Sequence, residues 1–310
     1  MSGGHAHHHS HGHHHHHHHG PAPGARPEAR WLIGIALNAV FVAVEVAAGL
    51  YGHSMSLLAD AGHNLSDVLA LGLSGGAAWL AARPAGPRRT YGFGKATVLA
   101  ALVNAAFLLF ACGVIAREAV SRLASHATPQ VDLMMGVAAA GVLVNGLTAV
   151  LFTRGKADDL NVRSAFMHMA ADAAISAGVV VAGLLIAFTG KAWIDPAAGL
   201  LILGVIVWGT WGLLKEAFDL AMDTAPAAVD MTAVRGFLET CPDVAAVHDL
   251  HVWPLSTTET ALTVHLVRPK GGDDAFLKHV AKALHGRFGI RHATMQVEAE
   301  SLEDCEDLHA

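Results

Sequence analysis

Apolar residues dominate the chain from Trp31 to Leu214 in six blocks, separated by short polar breaks. The blocks run from Trp31 to Tyr51, Ser54 to Ala82, Lys95 to Ala116, Val131 to Thr153, Val162 to Thr189 and Trp193 to Leu214. Each is about 20 residues or longer, the length an α-helix needs to cross hydrocarbon. Six membrane-spanning helices are therefore predicted. Beyond "MDTAPAAVD" the pattern changes. "MTAVRGFLETCPDV" has a helical period and ends at Pro242, whereas "VAAVHDLHVWPL" and "ETALTVHLVRP" alternate as strands do. "DDAFLKHVAKALHGRFG" is helical with a glycine stop, and "HATMQVEAE" reads as a last strand. The order αββαβ predicts two helices packed on one three-stranded sheet.

Composition agrees with this division. The 310 residues are 53% hydrophobic and only 15% charged, with a mean hydropathy of +0.42. A soluble domain of that length is excluded. Basic residues near the block ends set the orientation. Arg26, Arg30, Arg83, Arg88, Arg89, Lys95, Arg154, Lys156, Arg163 and Lys215 fall on one side, and only Arg117, Arg122 and Lys191 on the other. The first side is the cytoplasm by that rule, so both termini are expected inside, with the inner membrane of a bacterium as the location. No cleavable signal peptide is expected, because the N-terminus is polar and the first apolar block begins near Trp31. Cys112, Cys241 and Cys305 are scattered and form neither a CxxC pair nor a disulfide framework.

The net charge of -6 counts 23 histidines as neutral, so the actual charge depends on pH and bound metal. Many of these histidines lie in "HAHHHSHGHHHHHHHG", which cannot bury a core and is expected to be disordered without metal. The interspersed Ala, Ser and Gly favour a natural tail over a purification tag. The expected organisation is a His-rich cytoplasmic tail over 1–30, a membrane domain over 31–218, a linker over 219–228, an αββαβ metal-binding domain over 229–300, and an acidic tail over 301–310.

The second and fifth blocks carry polar residues where plain lipid-facing helices would have none. "HNLSD" places His63 four residues before Asp67, and "HMAAD" places His168 four residues before Asp172. Positions i and i+4 share a helix face. If the two antiparallel helices touch, two imidazoles and two carboxylates converge, a donor set that suits tetrahedral Zn²⁺. A charged aspartate at bilayer depth costs about 2.5 kcal/mol or more unless paired, which makes an intramembrane Asp a mark of function. The alternative is that the four groups only satisfy one another. An intramembrane zinc hydrolase is disfavoured, since the chain has no HExxH and four protein ligands leave no open position. A metal sensor or buffer that does not transport is a further alternative. Asn38, Glu45, Asp60, Asn64, Asn104 and Asn145 are expected to glue helices or line a vestibule, with Asp60 the best candidate for an entrance or supporting role.

The stretches "HSMSLLADAGHNLSDVLAL", "RRTYGFGKATVLAALVNA", "DLNVRSAFMHMAADAAIS", "WIDPAAGLLI" and "VHDLHVW" resemble the cation diffusion facilitators, in particular their zinc-transporter-like branch. The likeness runs from about residue 31 to residue 300. It implies a homodimer in a lipid bilayer, six-helix protomers with a ferredoxin-like C-terminal domain, and proton-coupled export of divalent metal. No nucleic-acid partner is expected. The transport site carries over onto His63, Asp67, His168 and Asp172, and its two-His, two-Asp form is associated with zinc; the alternative is a broader exporter of Zn, Cd, Co and Ni. A second zinc site is implied at His248, His265 and Glu298. His251 and His292 stand in reserve, more readily solvated than bound, and a mobile Cys305 or His309 completes a fourth ligand unless the tail is simply a solvated acidic end. Thr97 stands where the family usually has a glutamate. Lys95 matches a basic residue that in some relatives pairs with an acid at the end of the sixth span, here either Asp219 or Asp223.

Overall fold

The computed structural model describes residues 29–124, 128–153 and 160–300. The His-rich tail, the basic residues Arg154 and Lys156, and the tail bearing Cys305 and His309 lie outside the described residues. Six long helices come first: α1 (Ala29–Tyr51), α2 (Met55–Ala81), α3 (Lys95–Ala124), α4 (Val131–Thr153), α5 (Leu160–Thr189) and α6 (Ile194–Ala221). Among the described residues, four are by themselves long and apolar enough to cross a membrane: α3, α4, α5 and α6. In α1 the apolar described stretch is Asn38–Tyr51. The helix α2 has the length, but Asp60, His63, Asn64 and Asp67 dilute its apolar content.

Two helices outrun their apolar blocks. The α3 helix continues eight residues past Ala116, where Glu118 and Arg122 pair at i,i+4 with a 3.1 Å contact. The α6 helix continues past Leu214 to Ala221, so the expected linker over 219–228 begins inside it. Hydropathy marks where hydrocarbon ends; it does not mark where backbone hydrogen bonding ends.

The helices pack as pairs, α3 on α6 and α4 on α5, with α2 contacting α1, α3, α5 and α6. Their common core includes Leu57, Leu108, Met134, Ala138, Val179 and Ile206. The outer faces are apolar. Phe110 is 70% exposed and Trp208 84%, tolerable only against lipid or another apolar surface. Small residues let α6 approach α2: a Cβ on Gly199 would lie 2.9 Å from the Met55 carbonyl.

One buried carboxylate ties these two helices at that end. Asp195, in the first turn of α6, accepts from Ser54 Oγ at 2.7 Å, Ser56 Oγ at 2.6 Å, Ser56 N at 3.1 Å and Met55 N at 2.6 Å. It thereby satisfies free N–H groups at the start of α2 and places negative charge at that helix's positive end.

The C-terminal domain contains α7 (Met231–Glu239), β1 (Ala246–Pro254), β2 (Thr260–Val267), α8 (Asp274–Phe288) and β3 (Ile290–Glu298). This is the expected αββαβ order. Asp230 and Asp273 cap the two helices, and Gly289 ends α8 at φ 71°, a left-handed position that glycine takes without penalty. The sheet order is β1-β2-β3, with β1 antiparallel to β2 and β2 parallel to β3 through the α8 crossover. Val234, Leu238, Leu262, Val264, Leu266, Val280 and Leu284 fill the core beneath.

The domains meet at the start of α3. Lys95 Nζ lies 2.5 Å from Asp223 Oδ1, which decides between the two candidate partners, and it also donates to the Leu220 carbonyl at 3.1 Å. Thr97 Oγ1 accepts from Thr257 N at 3.1 Å. The Leu255 carbonyl would lie 2.6 Å from a Cβ on Gly94, so that glycine permits the close approach.

Candidate metal centres

The α2 and α5 helices bring their two His/Asp pairs together. His63 Nε2 lies 3.2 Å from Asp172 Oδ1 and 4.0 Å from Asp67 Oδ2. His168 Nε2 lies 3.3 Å from Asp67 Oδ2 and 3.6 Å from Asp172 Oδ2. Each imidazole is therefore nearer the carboxylate of the opposite helix than that of its own. The ring centroids are 6.4 Å apart. One donor atom each from His63, Asp67 and Asp172 fall within 4.8 Å of one another, and His168 reaches the cluster through both carboxylates. The Asp172 side chain is almost enclosed, while both histidines keep partial access. The three donors from His63, Asp67 and Asp172 are close enough to hold a metal ion as they stand, and His168, outside that group, would complete a four-coordinate shell only by moving inward. His63 Nδ1 is buried without a hydrogen-bond partner.

Asp60 is fully buried and accepts from Ser176 Oγ at 2.7 Å, so it is enclosed rather than placed at an entrance. Glu45, also fully buried, accepts from Asn64 Nδ2 at 2.8 Å. Ser176, on α5, gave no sequence signal.

In the C-terminal domain, His248 on β1 stands directly opposite His265 on β2. His265 aligns with Gln296 on β3, and Glu298 follows two residues on, on the same face. His248 Nε2 lies 3.0 Å from Glu298 Oε2, and His265 Nδ1 lies 3.0 Å from Glu298 Oε1. Despite that proximity, His265 Nδ1 is buried without a hydrogen-bond partner. One donor atom each from His248, His265 and Glu298 lie within 4.8 Å of one another, close enough to hold a metal ion. The reserve histidines lie apart from the trio: His251 Nε2 contacts Asp249 Oδ1 at 2.8 Å, and the ring of His292 meets Tyr91. Burial pushes the Cys241 thiol above its usual range, with Arg287 opposing in part, so Cys241 offers no ready thiolate.

Most of the chain matches two family models. Residues 31–220 match the cation efflux transmembrane domain, and residues 226–300 match the cation efflux protein cytoplasmic domain. A helical membrane domain of this family with a small α+β domain behind it defines a transporter of metal cations, not an enzyme. The chain belongs to the cation efflux, or cation diffusion facilitator, family. It is 34% identical over 281 residues to the zinc transporter ZitB of Escherichia coli, covering 89% of this chain and 90% of that protein. It is 34% identical over 282 residues to the metal cation efflux system protein CzcD of Cupriavidus metallidurans, covering 90% and 88%. The zinc transporter ttm-1 of Caenorhabditis elegans is 32% identical over 295 residues, covering 87% of this chain and 72% of that one. The C-terminal domain of this chain, residues 226–300, is of a family associated with dimerisation.

Proposed function

We propose that this chain exports zinc in exchange for protons, as a homodimer with both termini in the cytoplasm of a bacterium. Residues 31–218 form the carrier, and 229–300 form a cytoplasmic domain that senses zinc through His248, His265 and Glu298. The observation that carries the reading is the interleaved set of His63, Asp67, His168 and Asp172, drawn from two separate helices. A metal binds imidazole nitrogen and carboxylate oxygen only when they are deprotonated, so metal and protons compete for one set of atoms. Cytosolic zinc loads the site, a rocking of helix bundles turns it outward, and protons entering from the far side displace the ion.

The test is zinc uptake into proteoliposomes under an imposed pH gradient. Uptake should track the gradient and vanish when it is collapsed; uptake indifferent to the gradient would refute the proton exchange. Similarity to CzcD, named for metal cations rather than zinc, supports a second reading: a broader exporter of Zn, Cd, Co and Ni. A panel of these ions separates the two. His63→Asp should admit Cd²⁺ more readily, since a carboxylate in place of an imidazole accepts larger, higher-coordinate ions.

A further inference from the structure

The C-terminal cluster leaves one carboxylate unexplained. His248 pairs with His265 across β1 and β2, but the next aligned pair is His251 with Thr263. Asp249 and Leu250 together thus face Val264 alone, which makes a β-bulge. Asp249 heads it at φ 49°, in the left-handed region that a non-glycine residue occupies only at a cost. In a regular strand, Asp249 would point away from the face that carries His248. The bulge cancels that alternation. Asp249 Oδ2 comes to 3.4 Å from His265 Nε2, and its Oδ1 lies 2.8 Å from His251 Nε2.

His265 therefore faces a carboxylate at each nitrogen, Glu298 at Nδ1 and Asp249 at Nε2. In a neutral imidazole one nitrogen carries the hydrogen and the other the free electron pair. The unpartnered Nδ1 is the atom that faces Glu298. We propose that Asp249 is the positioning residue of the C-terminal zinc site. It accepts Nε2–H from His265 and so fixes the tautomer whose Nδ1 electron pair faces the ion, while His251 braces Asp249 from outside. This rests on the reading of His248, His265 and Glu298 as zinc ligands. Sequence spacing alone put Asp249 on the wrong face; only the bulge reveals it.

The experiment uses the full chain in detergent with Asp67→Ala and Asp172→Ala to silence the membrane donors. Zinc affinity is measured by competition with a chelator. The tautomer of His265 is read from ¹⁵N spectra of the zinc-free protein, its signals assigned by their loss in His265→Ala. Asp249→Ala should weaken zinc binding about 10–100-fold, the usual effect of removing a carboxylate behind a ligating histidine. It should also release His265 from the Nε2–H tautomer. Asp249→Asn, which keeps an acceptor oxygen, should restore most of both, and His251→Ala should produce a smaller loss than Asp249→Ala. Unchanged affinity or an unchanged tautomer in Asp249→Ala would overturn the proposal. So would a loss as complete as that of His265→Ala with no rescue by Asn, because Asp249 would then be a ligand. If zinc binding is as strong in His248→Ala with His265→Ala as in the parent, the zinc reading of the cluster fails, and the tautomer still decides whether Asp249 positions His265.

Discussion

The membrane cluster and the C-terminal cluster use the same residue types and are built in opposite ways. In the membrane, each of two helices supplies both a histidine and an aspartate, and one helix–helix contact sets all the distances between them. In the C-terminal domain, His248, His265 and Glu298 come from three different strands, and ladder hydrogen bonds fix their separations. Sliding α2 along α5 would open the first cluster without breaking any backbone hydrogen bond. Nothing comparable opens the second short of dismantling the sheet. A site that must release its ion is served by the first design, and a site that keeps its ion by the second. The supports differ as well: Asp249 backs His265, whereas His63 Nδ1 has no hydrogen-bond partner.

The sharpest way to break this comparison is Asp172→Ala. It removes the most enclosed carboxylate of the membrane cluster and should abolish zinc flux in proteoliposomes while the protein still purifies as a folded species. Normal flux would mean that the cluster is only structural. Next in size is Asp195→Ala, which strands two serine hydroxyls and two backbone N–H groups in a buried place. It should lower stability by about 3 kcal/mol or more, seen as a fall in thermal midpoint in detergent, with Asp195→Asn falling less. An unchanged midpoint would show that the α2–α6 junction is held by packing at Gly199 alone.

The pair His248→Ala and His265→Ala probes the other side of the comparison. Zinc should draw labelled C-terminal domains of the proposed dimer together in the parent and leave them unmoved in the variant. The parent response should fade below about pH 6.5, where imidazoles gain protons. An equal response in both proteins would place the movement's origin in the membrane. The smallest effect is expected at Asp243, whose carboxyl the exposed Lys270 contact holds below the usual range. A lowered folded-state value means that its contribution is present above about pH 3.9 and is lost as pH falls through the folded value. Asp243→Asn should therefore leave the thermal midpoint nearly unchanged at neutral pH and flatten its acid dependence slightly.

Much of the fold was legible because periodicity is a local property. Blocks of apolar residues marked six helices, and alternation marked β1, β2 and β3. The helix ends were less legible: α3 and α6 run on into polar surroundings, because helix formers such as Glu118, Lys215 and Glu216 carry no hydropathy signal. The His63/Asp67 and His168/Asp172 spacings placed each pair on one helix face. They carried no information that His63 would lie nearer Asp172 than Asp67, since that depends on how α2 and α5 are offset. Asp195 entered the sequence reading only as part of the stretch "WIDPAAGLLI".

By itself, the sequence determined the division into a helical membrane part and an αββαβ domain, along with the family, since motif and periodicity survive without contacts. Tertiary structure alone decided which groups meet. It chose Asp223 over Asp219 for Lys95, closed Asp60 behind Ser176, and bound Asp195 to the start of α2. It also turned Asp249 onto the histidine face through one bulge. The physical reason is the same each time. A side chain's direction follows from its own backbone, but its partner follows from the relative placement of elements far apart in the chain, which packing as a whole sets.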